Sequence, residues 1–84
     1  MGAFSDNPAK HRFEYLVGEF MAVADYRREG STLFIDYVEA PPELRGTGAA
    51  GKLMEEIMAF AAREKLQVTP ICGYAANWIA RHPK

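Results

Sequence analysis

The sequence from Phe34 to Phe60, FIDYVEAPPELRGTGAAGKLMEEIMAF, decides the fold of this chain. Its first part, Phe34–Ala40, predicts a buried strand, and the dipeptide Pro41-Pro42 ends that strand. The segment Arg45–Ala50 then opens directly into an amphipathic helix. The turn between strand and helix is therefore the first candidate for a functional site.

This turn has the properties of an anion site. Gly46 and Gly48 carry no side chain, so backbone N–H groups can face a ligand at close range. A helix start adds unpaired N–H groups and the positive end of the helix dipole. Arg45 adds a planar donor group suited to phosphate oxygens. The sequence thus predicts a phosphate or pyrophosphate site formed by Arg45, Gly46, Thr47, Gly48, Ala49 and Ala50.

Two common phosphate motifs match the turn only in part. The spacing from Gly46 to Gly51-Lys52 is that of a P-loop, but Leu53 stands where the Mg²⁺-binding hydroxyl belongs. The three glycines also satisfy the dinucleotide pattern Gly-x-Gly-x-x-Gly. That pattern, however, requires a preceding parallel strand and a doubly wound sheet, for which 84 residues are too few. Nucleotide binding through the near-P-loop remains an alternative, and it predicts Mg²⁺-dependent affinity for ATP or GTP.

The other elements follow from hydrophobic periodicity and turn residues. Strands are predicted at residues 11–17, 20–28 and 32–40, and their short connections imply antiparallel neighbours. A helix runs from residue 47 or 48 to 65, with Leu53 and Ile57 on its apolar face. A strand at 66–72 is parallel to its partner, because a helical crossover precedes it, and a helix at 73–81 stops at His82-Pro83. The prediction is an α/β (α+β) mixed sheet of order β-β-β-α-β-α over residues 11–84, preceded by a flexible tail at residues 1–10.

Composition limits the class of protein. The chain has 84 residues, a net charge of −1 and mixed charges, so no electrostatic footprint for nucleic acid or an anionic membrane is visible. A single cysteine forms no internal disulfide and fits a reducing, cytoplasmic compartment. One cysteine and two distant histidines also give no metal-ligand cluster. We therefore expect no metal, no nucleic acid and no membrane among its partners, and a monomer or weak homodimer.

The whole pattern resembles the GNAT superfamily of N-acetyltransferases, and within it the miniature branch of about a hundred residues. The resemblance covers about Phe13 to Pro83 and includes Glu39, Pro41, the segment Glu43–Gly48, the segment Pro70–Tyr74 and His82-Pro83. It implies acetyl-CoA (coenzyme A) as acyl donor, with its pyrophosphate on the Arg45–Ala50 loop and its pantetheine between two splayed strands. Two positions depart from the branch: Tyr37 stands where a His is usual, and Val38 where a Thr is usual.

Acetyl transfer requires a polarised carbonyl, a neutral amine and a protonated leaving thiolate. Backbone N–H groups at Val38 and Ala40, where the strands splay, either polarise the carbonyl as an oxyanion hole does or belong to an ordinary strand end before Pro41. Glu39 is either a general base or a solvated strand-end carboxylate. Asp36 and Asp25 are weaker candidates for the base, and alternation places Asp36 on the same face as Val38.

Three further candidates lie at the end of the last predicted strand and in the segment that follows it. Cys72 precedes a helix start, which favours the reactive thiolate. It is either a covalent nucleophile or a small residue lining the pantetheine channel. Tyr74 either protonates the departing thiolate, as the resemblance implies, or packs on the sheet. Asn77 is either a CoA contact or an exposed helix residue.

Two functions therefore stay open. The first is an acetyl-CoA-dependent N-acetyltransferase acting on an amine that the sequence does not identify. The second is an acyl-CoA-binding or interaction module that has kept the loop without efficient catalysis. Cys72 and Tyr74 favour the first, and the short chain, which leaves little material for an acceptor pocket, favours the second.

Overall fold

One sheet of five strands, arranged in chain order, organises the structure. The computed structural model describes residues 2–82. The strands are β1 (Ala3–Asn7), β2 (Arg12–Val17), β3 (Phe20–Glu29), β4 (Thr32–Glu39) and β5 (Gln67–Pro70), and the helices are α1 (Ala49–Glu64) and α2 (Gly73–Arg81). Single 3₁₀ turns cover Pro8–Lys10 and Pro42–Leu44. β1 to β4 form an antiparallel meander, and β5 lies parallel to β4.

From β2 onward the structure confirms the predicted mixed sheet and its order of elements. The two hairpin turns contain Gly18 and Gly30, which adopt positive φ angles of 62° and 60°. Such angles strain residues that have a side chain, so glycine at both tips is the local reason why these strands return where they do. Pro83, the last residue of the His82-Pro83 match, lies outside the described residues.

The expected flexible tail at residues 1–10 is not observed in the described part of that segment. Ala3–Asn7 instead form β1, which pairs antiparallel with β2 from Ala3↔Leu16 to Asn7↔Arg12. Side-chain contacts with other elements hold this strand: the Phe4 ring stacks on Phe13 with centroids 5.5 Å apart, and Tyr26 donates a hydrogen bond of 2.6 Å to the Asp6 carboxylate. These contacts involve residues far apart in sequence, which explains why local pattern alone missed the strand.

Both helices pack on the same face of the sheet. The core contains alternate side chains of β2, β3 and β4 together with one stripe of each helix: Phe13, Tyr15, Ala22, Ala24, Tyr26, Leu33, Ile35, Leu53, Met54, Ile57, Ala61, Ala75 and Trp78. The helices also contact each other, since a methyl group added at Gly51 of α1 would lie 3.5 Å from the Trp78 indole nitrogen of α2. No helix of residues 2–82 covers the opposite face, and neither helix is long and apolar enough to span a bilayer.

An irregularity in β4 reverses the direction of its side chains. Ile35 lies opposite Tyr26, and Tyr37 lies opposite Asp25, so Asp36 has no counterpart on β3. One extra residue shifts the period-two alternation, as in a β-bulge. The side chain of Val38 therefore packs on the helix-covered core, whereas Tyr37 is 53% exposed. The expectation that Asp36 shares a face with Val38 is wrong for this reason.

The parallel strands β4 and β5 part halfway along β4. Their pairing runs from Thr32↔Gln67 to Ile35↔Pro70 and ends there. The N–H groups of Ile71 and Cys72 both donate to the Ile35 carbonyl, at 2.9 and 3.1 Å, which closes the ladder. The rest of β4 continues without a strand on this side, so a gap opens next to the Pro42–Leu44 turn and the start of α1.

Candidate active site

The loop between β4 and α1 leaves several backbone donors free. Gly46 and Gly48 have positive φ angles of 79° and 86°, and Gly48 is the N-cap of α1. The Thr47 side chain holds the loop in shape: its hydroxyl donates to the Leu44 carbonyl and accepts a 3.2 Å hydrogen bond from the Ala49 N–H. The Thr47 N–H also donates to Leu44, at 3.2 Å.

These internal bonds decide which donors can face a ligand. The N–H groups of Thr47 and Ala49 are used inside the loop, whereas those of Gly46, Gly48, Ala50 and Gly51 have no acceptor within residues 2–82. Free N–H groups at a turn and at a helix start are available donors for an anion. Arg45 lies beside them, is exposed, and forms no ion pair within the described residues.

A cleft connects this loop with the end of β4. One cavity of about 280 Å³ is lined by Tyr37, Val38, Glu39, Ala40, Arg45, Ala50 and Tyr74. A second cavity of about 270 Å³ is lined by Ala40, Leu44, Arg45, Gly46, Gly48, Ala49, Ala50, Gly51 and Tyr74. The two share Ala40, Arg45, Ala50 and Tyr74, so they lie side by side along the cleft between the loop and the end of β4. A larger cavity of about 520 Å³ lies at the other end of β3, next to Tyr26 and Arg28, and is remote from this loop.

The Val38 amide points into the gap between β4 and β5. The Tyr26 N–H donates to the His11 carbonyl at 2.9 Å, so the backbone groups of Tyr26 on β3 point toward β2. Ala24, two residues earlier on the same strand, points the same way. Val38 lies directly opposite Ala24, and its own N–H and C=O must therefore point away from β3. On that side β5 has already ended, so the Val38 N–H is directed into the cleft.

Cys72 and Tyr74 flank the start of α2, but only Tyr74 lines the cleft. Cys72 is the N-cap residue of α2, is half-buried and packs against the core. Burial raises the pKa of the Tyr74 phenol; the Arg81 charge opposes this rise, and the nearby Cys72 thiol adds to it. Tyr74 is therefore protonated at neutral pH and can donate a proton.

The carboxylates near the gap differ in their partners. Asp36 accepts two hydrogen bonds from Arg27, at 2.8 and 3.0 Å, and these bonds lower the pKa of its carboxyl. Asp36 is thus occupied as an ion-pair partner. Glu39 is exposed at the end of β4, lines the cleft and forms no ion pair within residues 2–82.

Most of the sequence-predicted site residues come together in this cleft. Those lining it are Val38, Glu39, Ala40, Arg45, Gly46, Gly48, Ala49, Ala50 and Tyr74. Thr47, Cys72 and the exposed Asn77 are not among its lining residues. Tyr37, Leu44 and Gly51 also line the cleft, although they are not among the predicted site residues. The sequence did single out Tyr37, because this residue stands where the family that the chain resembles usually has a His.

Comparison with known proteins identifies the family of the chain. No curated protein matches the chain. A family model described as GCN5-related N-acetyl-transferase matches residues 12–84, which is nearly the whole chain. The mixed sheet, the parallel β5 and the glycine loop before α1 are consistent with a small member of this group. The chain belongs to the GCN5-related N-acetyl-transferase family.

Proposed function

We propose that this protein transfers an acetyl group from acetyl-CoA to a primary amine. The observation that carries the proposal is the pair of adjacent cavities that lie between the free loop N–H groups and the Val38 amide at the gap. An extended molecule with a phosphate group at one end and a reactive carbonyl at the other fits such a cleft. Acetyl-CoA has this construction, and family membership makes it the first candidate.

The loop between β4 and α1 would bind the pyrophosphate of acetyl-CoA. The N–H groups of Gly46, Gly48 and Ala50 would donate to its oxygens, and the Arg45 guanidinium would neutralise part of its charge. Thr47 and Ala49 would act indirectly, because their hydrogen bonds keep the loop in this shape. Asn77 stays a proposed contact for the outer part of the cofactor.

The end of β4 supplies the reaction site. Bound acetyl-CoA contributes a thioester, whose carbonyl carbon is open to attack by an amine. The Val38 N–H would donate to the oxygen on which negative charge develops, and the Ala40 N–H, one residue beyond β4, is a second candidate donor. Glu39 would accept the proton that the attacking amine loses, directly or through a water molecule. Tyr74 would donate its phenolic proton to the departing sulfur.

Cys72 offers a second route, in which its thiolate first takes the acetyl group and then passes it to the amine. In the structure Cys72 packs against the core and does not line the cleft, which favours direct transfer. A Cys72→Ala variant separates the routes, because direct transfer keeps turnover near the wild-type rate and the covalent route loses it. The acyl-CoA-binding module stays the alternative function, supported by the fact that no helix among residues 2–82 covers the acceptor side of the gap.

Calorimetric titration with acetyl-CoA is the first test. We expect Arg45→Ala to weaken binding by about 10- to 100-fold, because hydrogen bonds to charged groups contribute about 1.5–3 kcal/mol. Arg63→Ala is the matched control, since Arg63 is also exposed but lies in the last turn of α1. ATP with Mg²⁺ tests the nucleotide alternative. If acetyl-CoA does not bind, or if both variants bind it equally well, the proposal is wrong.

Turnover distinguishes the enzyme from the binding module. Release of free CoA thiol in the presence of amines would be followed with wild-type protein and with Tyr74→Phe. General acid catalysis contributes about 10²-fold or more, so we expect a kcat loss of that order with acetyl-CoA affinity unchanged. Tight binding without any thiol release, over a broad panel of amines, would support the binding module.

A further inference from the structure

The sheet has two edges, and strand β1 forms the edge that lies away from the cleft. The direction of its hydrogen bonds follows from the neighbouring strands. The backbone groups of Ala24 on β3 point toward β2, where Phe13 lies directly opposite. Glu14, the next residue of β2, therefore points its N–H and C=O toward β1, where Ser5 lies opposite. Ser5 thus uses its backbone groups inside the sheet.

The residues on either side of Ser5 point outward. Backbone direction alternates along a strand, so the N–H and C=O groups of Phe4 and Asp6 are directed away from β2. No strand of residues 2–82 lies on that side, and these four groups have no backbone partner within that range. A free edge of this kind is a template for pairing with another strand. β1 lacks the usual protection, since Ala3–Asn7 contain neither proline nor lysine and pair with β2 without a bulge.

The opposite edge of the sheet is better protected. In and just after β5, the N–H groups of Gln67 and Ile71 donate toward β4, so the backbone groups of Val68 and Pro70 face outward. Proline has no N–H, and Val68 therefore has the only outward donor of Gln67–Pro70. A proline on an edge strand is one of the ways in which proteins block strand pairing. Of the two edges, β1 is the one open to a partner.

The side chains beside β1 allow a close approach. On the helix side, the half-buried Phe4 ring lies 6.5 Å from the half-buried Phe60 ring of α1, so both rings still expose apolar surface near this edge. On the other face, Ala3 lies opposite Leu16, which is 45% exposed. Asp6 is the only charged residue of β1, and its carboxylate already accepts a hydrogen bond from β3. A partner strand would therefore meet mainly apolar groups.

The free backbone groups of β1 are complementary to those of a second β1. A twofold axis at Ser5 places Phe4 of each copy opposite Asp6 of the other, and each of these two pairs forms two hydrogen bonds between free groups. The neighbouring registers fit less well. An axis at Phe4 would require Gly2, whose N–H already donates to a tyrosine hydroxyl at 3.2 Å. An axis at Asp6 would place the two Asp6 carboxylates directly opposite and pair Phe4 with Pro8, which has no N–H.

We infer that two copies of this chain associate through β1, with Ser5 on the twofold axis, so that the sheet continues from one copy into the other. The association does not depend on the proposed function, because the cleft lies beside β4 and β5 on the other side of the sheet. One pair of short strands buries less than the roughly 1,200–2,000 Å² of a standard stable interface, so we expect a weak dimer with a Kd of about 10 μM to 1 mM.

Sedimentation equilibrium over this concentration range tests the association, and amide hydrogen exchange followed by NMR locates it. We expect exchange of the outward N–H groups of Phe4 and Asp6 to slow by about twofold or more as the concentration rises to about 1 mM. The Val68 N–H, on the other edge, should keep its rate. A protein that stays monomeric at about 1 mM, or a dimer in which neither β1 amide gains protection, would overturn the inference.

A cysteine at the axis tests the register. Ser5 and its counterpart form a non-hydrogen-bonded pair with Cα atoms about 4.5 Å apart, which a disulfide can bridge. In a Cys72→Ala background, which removes the native thiol, Ser5→Cys should therefore form a disulfide-linked dimer with oxidised glutathione. Ala3→Cys is the matched control, because Ala3 is also exposed but would lie about 13 Å from its counterpart. No disulfide-linked dimer of Ser5→Cys, or equal amounts from both variants, would contradict the inference.

A charge at the axis should have the opposite effect. Like charges directly opposite on antiparallel strands are destabilising, so Ser5→Lys should weaken the dimer by about fivefold. Ser31→Lys is the matched control, because Ser31 is also exposed but lies in the turn between β3 and β4. Circular dichroism would confirm that both variants are folded. Equal dimer affinities of the two lysine variants would show that the copies associate through another surface, and the inference would be wrong.

Discussion

Substituting Gly48 by alanine separates the role of the loop in folding from its role in binding. Gly48 has φ 86° and ψ 5°, and an added methyl group would meet no protein atom within 4 Å. The cost therefore comes from backbone strain alone, about 1–2 kcal/mol for a residue with a side chain in left-handed conformation. For a domain of this size each kcal/mol lowers Tm by about 4–8 °C, so we expect a decrease of about 4–16 °C.

Gly30→Ala provides the matched control for this strain. Gly30 has a φ of 60° and equally open surroundings, but it lies in the hairpin turn between β3 and β4, at the far end of the sheet from the loop. We expect it to lower Tm by a similar amount. Thermal unfolding followed by circular dichroism measures both effects on the same scale.

Binding should distinguish the two variants. An alanine relaxing toward negative φ at position 48 would change the orientation of the free Gly48 and Ala50 N–H groups relative to each other. We therefore expect Gly48→Ala to weaken acetyl-CoA binding by at least tenfold, and Gly30→Ala to leave it unchanged. Calorimetry well below both unfolding temperatures is the assay. Wild-type affinity in Gly48→Ala would refute the argument that this loop geometry forms the anion site.

Three other substitutions test the fold. Gly51→Ala should raise Tm, because alanine stabilises a helix by about 0.5–1 kcal/mol relative to glycine. Its methyl group would also make an ordinary 3.5 Å contact with Trp78. A lower Tm in thermal unfolding would show that the two helices need the closer contact that glycine allows. Leu53→Ala removes a fully buried core side chain and should cost about 2–5 kcal/mol by urea denaturation, whereas a loss below 1 kcal/mol would contradict its core position. Burial and the Asp6 hydrogen bond raise the pKa of Tyr26 to about 12. The folded protein therefore keeps a proton that the unfolded chain releases near pH 10. The free energy of unfolding should thus fall between pH 10 and 12. Tyr26→Phe should be less stable at pH 8 and lose less between pH 10 and 12, and an identical alkaline loss in both proteins would contradict this account.

Local sequence determined most of the secondary-structure elements and the glycine loop between β4 and α1. Gly18, Gly30, Gly46 and Gly48 all adopt positive φ, as turn positions with glycine predict. The helix predicted from residue 47 or 48 to 65 is observed as Ala49–Glu64. These features depend on residues that are close in the chain, where conformational preferences and periodicity act directly. For the same reason the phosphate-binding candidates lie together on one loop.

Contacts between residues far apart in the chain decided the remaining features, namely the first strand and which residues line the cleft. β1 is held in the sheet because Phe4 stacks on Phe13 and Asp6 accepts a hydrogen bond from Tyr26. Nothing in the local pattern of residues 1–10 indicates those partners. Cys72 and Asn77 were placed beside the cofactor by their position in the chain, but they do not line the cleft. A residue's distance from a site depends on the path of the whole fold, which spacing alone does not give.

The bulge at Asp36 shows most clearly what the sequence by itself did not determine. Simple alternation placed Asp36 and Val38 on one face. The expectation of free N–H groups at Val38 and Ala40 came from the splayed strands and not from alternation. The hydrogen bonds of β3 to β2, together with the end of the β4–β5 ladder at Ile35, direct the Val38 amide into the gap. The sequence thus determined that a strand, an anion-binding loop and a helix follow one another. Only the tertiary structure decided which side of that strand is open, because strand direction and register are set by the neighbours with which each backbone group pairs.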